Sequence, residues 1–130
     1  LRGTTLRAMK SLRGVILAIA TLSALIACGG APQTLPTPPP GAVVVTAQGT
    51  AFTTQNVSAP AGTAFTLFFE NLGNELHNVR LKDAAGTSVF GGQTFTGPAA
   101  VAEQVPALAA GTYRISCDIH PDMSAQLVAQ

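Results

Sequence analysis

Thr112 to Met123 reads TYRISCDIHPDM, and its first half decides the fold. Tyr113, Ile115 and Cys117 fall on one face of an extended chain, and Thr112, Arg114 and Ser116 on the other. That period of two predicts a half-buried strand. Pro106 to Gly111 leads into it as a connection, with a short helix at Pro106–Ala110 as one form it takes. Ala125 to Ala129 follows as the closing strand.

The same signal recurs upstream. Val43-Val44-Val45-Thr46 opens a first strand, which Thr50 to Val57 continues in β-favouring residues. Ala64 to Phe69 concentrates Phe65, Leu67, Phe68 and Phe69, as a strand buried on one or both faces does. His77, Val79 and Leu81 alternate with Asn78, Arg80 and Lys82, which predicts one strand whose inward face begins at His77. Ser88–Phe90, Thr94–Thr96 and Val101–Val105 are shorter candidates. Pro60-Ala61-Gly62-Thr63, Asn71-Leu72-Gly73-Asn74 and Asp83-Ala84-Ala85-Gly86 are turns between them. About seven or eight short strands and no long helical pattern predict an all-β sandwich.

The strands occupy one domain, Ala42 to Gln130, in a chain of 130 residues. Residues 1–27 read as a signal peptide with its start at Met9. Lys10-Ser11-Leu12-Arg13 is the cationic stub, and Val15 to Ala27 is an apolar run of 13 residues. Spanning a bilayer as a helix takes roughly 20 residues. Leu25-Ile26-Ala27-Cys28 resembles the lipobox of bacterial lipoproteins, which implies lipidation of Cys28 and a membrane anchor. A conventionally cleaved signal or an uncleaved anchor, with Cys28 merely a small apolar residue, is the alternative. Residues 28–41 are then a tether, since eight of the thirteen from Gly29 to Gly41 are Gly or Pro. These features predict an extracytoplasmic, membrane-anchored protein.

Charge excludes a nucleic-acid partner. Four of seven basic residues precede residue 14, and from residue 28 onward three basic residues face six acidic ones. No Ser-His-Asp set, H-E-x-x-H, P-loop or dinucleotide fingerprint is present, and Glu70 and Glu75 make no convincing acid–base pair. We therefore expect no enzyme and no small-molecule substrate. Nothing calls for an obligate interface, so a monomer is expected.

The chemistry lies in four residues. His77 starts an inward-facing strand, Cys117 ends another, and His120 and Met123 follow in the loop as C-x2-H-x2-M. A thiolate, two imidazoles and a thioether form a soft, mixed donor set that suits one mononuclear copper ion with a weak axial Met. Zinc or iron more often takes four cysteines, two cysteines with two histidines, or a carboxylate. Ile119, Pro121 and Met123 crowd His120 in sequence, so an apolar surface is expected around it. Singly, each residue has a plainer role: Cys117 as a small buried hydrophobe, His77 as a satisfied core histidine, His120 on a loop surface, Met123 as core filling. A Cys28–Cys117 disulfide would consume both the lipid attachment and the thiolate.

From Ala42 to Gln130 the chain resembles the cupredoxins, the type 1 blue-copper family of plastocyanin, pseudoazurin and amicyanin. The early valine strand, Ala61-Gly62-Thr63, the phenylalanine strand ending at Asn71, His77-Asn78-Val79 and Tyr113 to Met123 come in that family's order. The short loop with Pro121 after the histidine looks most like amicyanin. The resemblance implies a Greek-key β-sandwich, with His77, Cys117, His120 and Met123 as copper ligands. It implies that Asn78 ties the two ligand-bearing segments together and that electrons leave through His120 to transient redox partners. The function it implies is single-electron transport. A copper-handling or storage lipoprotein, and a metal-free structural sandwich, are the alternatives.

Overall fold

The computed structural model describes residues 34–130. The expected signal peptide with its start at Met9, the expected lipidation at Cys28 and the first part of the expected tether lie outside the described residues. Eleven strand segments follow one another: β1 (Val43–Gln48), β2 (Ala51–Phe52), β3 (Asn56–Ala59), β4 (Phe65–Asn71), β5 (Leu76–His77), β6 (Arg80–Lys82), β7 (Ser88–Gly91), β8 (Phe95–Thr96), β9 (Ala99–Val105), β10 (Gly111–Ser116) and β11 (Ser124–Ala129). Among the described residues no helix is long and apolar enough to cross a membrane.

The strands form a Greek-key β-sandwich. One sheet has the order β2-β1-β4-β9, the other β3-β11-β10-β6-β7, and β5 pairs with β8 in a small third sheet. β1 runs parallel to β4 and β3 parallel to β11, while the remaining pairs are antiparallel. Alternation in sequence becomes alternation in burial. Val45, Leu67 and Phe69 of the first sheet and Leu81, Ile115 and Leu127 of the second are all fully buried in one core cluster. Phe69 stands at the centre of an aromatic group, edge-on to Phe52 at 6.3 Å and to Phe95 at 5.4 Å between ring centroids. Phe68 is buried on the opposite face of β4, so that strand is covered on both sides.

Four expectations need correction. Thr50 to Val57 is not one continuation of β1: it breaks into β2 and β3, which belong to different sheets. His77 to Lys82 is likewise two strands, because the chain leaves the third sheet after His77 and joins the second at Arg80. His77, Asn78 and Val79 are buried in succession, so Asn78 does not face outward. No helix forms at Pro106–Ala110. Leu108 instead bridges to Ala61, its carbonyl accepts from Gly62 N at 2.7 Å, and the Tyr113 hydroxyl donates to Ala109 O at 2.9 Å. One buried leucine and these long-range bonds outweigh a weak local helical preference. Ser116 keeps the face that its spacing gives it, opposite Arg80, yet is only 6% exposed.

Candidate metal centre

Two segments supply the donors. The last ladder pair of β10 and β11 is Ser116↔Ser124, so residues 117–123 form the loop of a hairpin. Cys117 opens that loop at 3% exposure and Met123 closes it at 2%. Met123 N donates to His120 O at 3.0 Å, which tightens the loop across its second half. His77 comes from β5 and is fully buried.

The orientation of His77 follows from one hydrogen bond. Its Nε2 lies 2.7 Å from Gly49 O. A carbonyl oxygen only accepts, so Nε2 carries the proton and Nδ1 presents a lone pair. That Nδ1 lies 3.2 Å from His120 Nδ1 and 3.7 Å from Cys117 Sγ, and His120 Nδ1 is 3.9 Å from the same sulfur. The donor atoms of His77, Cys117 and His120 thus lie within 4.8 Å of one another. Metal bonds of about 2.0 Å to nitrogen and 2.3 Å to sulfur would span such separations from a shared centre. The soft sulfur and paired imidazoles, with no carboxylate in the cluster, match a mononuclear type 1 copper site. His120 is the one of the three that is only half-buried.

Asn78 and Asp118 join the two segments. Asn78 Nδ2 donates to Asp118 Oδ2 at 2.8 Å, and Asp118 N donates to Asn78 Oδ1 at 2.9 Å. Both residues adjoin a donor, His77 and Cys117 respectively. Arg80 extends the brace: its Nε donates to Asp118 Oδ1 at 2.6 Å, and its Nη1 to Ser88 Oγ at 2.9 Å. Hydrogen bonds from Arg80, then from Asn78, hold the Asp118 carboxyl down at about 2. The Arg80 guanidinium is correspondingly held above its usual value by the bond to Asp118.

Sequence reasoning missed Asp118, Arg80, Gly49 and Asn71. Asn71 is fully buried and organises the loop before His77. Its Nδ2 donates to Glu75 O at 2.8 Å and Phe95 O at 3.3 Å, and its Oδ1 accepts from Gly73 N at 3.2 Å. A Cβ on Gly97 would collide with the carbonyls of Asn71 and Gly73, so a glycine is needed there. The signal for Asn71 was its place at the end of the phenylalanine strand; the other partners depend on tertiary register. Leu72, Leu76 and Ile119 are the exposed large apolar residues among those described, and they flank the two donor segments along the chain. Met123 adds nothing to that surface, contrary to expectation, because it is buried.

A family model for the cupredoxin-like domain matches residues 15–129. Among solved structures, amicyanin from Paracoccus versutus is 29% identical with a TM-score of 0.56, covering 71% of this chain and 84% of that one. Dithionite-reduced auracyanin from Roseiflexus castenholzii has a TM-score of 0.60 at 15% identity, covering 69% of this chain and 97% of that one. Auracyanin A from Chloroflexus aurantiacus, described as a "blue" copper protein, has a TM-score of 0.57 at 22% identity, covering 69% of this chain and 100% of that one. The two auracyanins speak for the fold alone. No curated protein sequence matches this chain.

Proposed function

The chain belongs to the cupredoxin-like domain family, and from that premise we propose that it is a blue-copper electron carrier, tethered to a membrane outside the cytoplasm. His77, Cys117, His120 and Met123 are the residues that would hold one copper ion. The observation that carries this is the convergence of two imidazole nitrogens and a cysteine sulfur, drawn from segments 40 residues apart in the chain. Copper held there supplies a one-electron couple, because thiolate and thioether favour Cu(I) while imidazole accepts Cu(II).

The protein's own contribution is to fix the donors before the metal arrives. Gly49 O sets the tautomer and ring orientation of His77. The Asn78–Asp118 pair holds the two segments in register, and burial of Cys117 excludes water from the sulfur. Such a site changes shape little between oxidation states, which favours rapid transfer. His120 reaches the surface and gives a partner its approach, with Ile119 and Pro121 beside it in the loop. A small apolar face of this kind suits a transient redox complex. The role is a carrier's, not an enzyme's.

Anchoring is supported by the basic stub, the apolar run and the Leu25-Ile26-Ala27-Cys28 box. Two or three acyl chains hold a protein firmly, at about 0.8 kcal/mol per buried methylene. Expression in a bacterial host should place the protein in the membrane fraction, and Cys28→Ser should release it. Equal partitioning of both forms would refute the anchor.

The copper assignment is tested by adding one equivalent of Cu(II) to the full chain and recording the visible spectrum before and after ascorbate. An intense thiolate-to-copper band that bleaches and returns on reoxidation is expected. A colourless product would leave copper handling or a structural role in its place.

A further inference from the structure

All three basic residues after Ala42 lie together on the outer face of the second sheet. Arg80 and Lys82 are on β6 and Arg114 is on β10, with Lys82 and Arg114 directly opposite each other in the ladder and Arg80 opposite Ser116. Asp118 neutralises Arg80 in the one ion pair among the described residues, so Lys82 and Arg114 have no carboxylate partner there. Like charges directly opposite across a sheet destabilise it. Glu70 and Glu103 are on the first sheet, Asp83 spends one oxygen accepting from Ala85 N and Thr87 N, and Asp118, although Lys82 acts on it through space, is already taken by Arg80 and Asn78.

Beside the two cations lies a recess of ≈ 280 Å³, whose wall includes Lys82, Arg114, Ser116, Cys117, Asp118 and Pro121. Ser116 is buried, at 6% exposure, and its hydroxyl has no hydrogen-bond partner. An unpaired buried hydroxyl costs free energy that a bound acceptor would recover. Two unpaired cations and an unpaired hydroxyl at one recess call for the same ligand, an oxyanion. The recess opens on the exposed face of a sheet with no carboxylate on its strands, a shape that admits a side chain carried on another surface.

We propose that Lys82, Arg114 and Ser116 form a docking site for a carboxylate side chain on an acidic partner protein. Lys82 and Arg114 attract the approaching acidic surface, and the Ser116 hydroxyl donates to the seated carboxylate. Asp118 shares the wall of the recess, where Arg80 and Asn78 take up its carboxylate. The site needs no metal, and Cys117 and Pro121 of the donor loop form part of its wall.

The test is an amide-shift titration of the metal-free, isotope-labelled full chain with hexaglutamate at low salt. Saturable shifts are expected at Lys82, Arg114 and Ser116. Lys82→Ala with Arg114→Ala should weaken binding roughly tenfold, as loss of two exposed charge contacts does. Ser116→Ala should weaken it about tenfold as well while leaving the fold intact, since a hydrogen bond to a charged group is lost. Raising the salt to physiological strength, where the screening length falls to about 8 Å, should weaken it further. Undiminished binding by Ser116→Ala, or shifts centred on another face, would overturn the site. Equal shifts from inorganic phosphate at matched charge would also overturn protein docking, and would make the recess a free-anion site.

Discussion

The two segments that bring the donors together are built in opposite ways. The Cys117 arm hangs from a long ladder, in which Gly111 to Ser116 pairs residue for residue with Ala129 back to Ser124. The His77 arm is a two-residue strand, paired only at Leu76↔Thr96 and His77↔Phe95. Side chains supply what its ladder lacks: His77 on Gly49 O, Asn71 across the preceding loop, and Asn78 on Asp118. Repeated backbone pairing tolerates the loss of any one side chain, whereas single buried hydrogen bonds have no substitute. The site therefore joins a robust arm to a fragile one.

The most drastic way to break the comparison removes the chemistry shared by both arms. Cys117→Ser should abolish the visible copper band altogether. It should also remove most of the stabilisation that copper confers, which is about 2.7 kcal/mol at one hundred times its dissociation constant. Thermal melts with and without Cu(II) read this directly; an unchanged spectrum and an unchanged copper-dependent shift would mean that the thiolate is not a ligand.

Asn71→Ala strikes the fragile arm alone. It removes three bonds made by one fully buried side chain, to Gly73 N, Glu75 O and Phe95 O, at a cost of about 1–3 kcal/mol. Amide exchange should quicken over residues 72–77 far more than over 117–123, and equal acceleration in both arms would remove the distinction between them. Asn78→Ala severs the tie between the arms while sparing each one's own support. A cost of about 1–3 kcal/mol is expected, from the orphaned Asp118 N–H and the lost bond to its carboxylate. The copper band should survive in this variant but broaden or shift, since the donors remain and only their mutual placement loosens.

The same contrast explains what was legible in the sequence. Thr112 to Cys117 showed its strand and its buried face because a ladder and a core impose a period of two on the residues themselves. The four sulfur and imidazole donors stood out because their side-chain chemistry is rare and closely spaced. His77 to Lys82 misled for the converse reason. Its alternation is real at Val79 and Leu81, but the break at Asn78 is set by a partner 40 residues away. Ser116 is buried although its spacing placed it outside, and no local signal distinguishes it from Arg114. Asp118 carried no assigned role in the sequence and proved to be the pin between Asn78 and Arg80. What local period and residue type determine was visible; what register between distant strands determines was not.

The smallest expected effect concerns that pin and depends on pH. The Asp118 carboxyl titrates at about 2 in the folded chain against 3.8 for an ordinary aspartate, through hydrogen bonds from Arg80 and Asn78. A folded value below the unfolded one means that the unfolded chain binds the proton more readily. The carboxylate's contribution to stability is therefore fully present above pH 3.8 and is lost as pH falls through the folded value of about 2. Solvent reaches both partners, with 31% of the Arg80 side chain and 40% of the Asp118 side chain exposed, so screening keeps the contribution small. Arg80→Ala isolates it in the metal-free protein, where no pH-dependent loss of copper contributes and groups common to both forms cancel in the difference. The gap in stability between wild type and variant should be constant from pH 7 down to about 4 and should narrow below that, as protonation of Asp118 removes in the wild type what the variant already lacks. A gap that stays the same down to about pH 2 would mean that the guanidinium braces the two arms by packing alone, and that Asn78 carries the tie without help from charge.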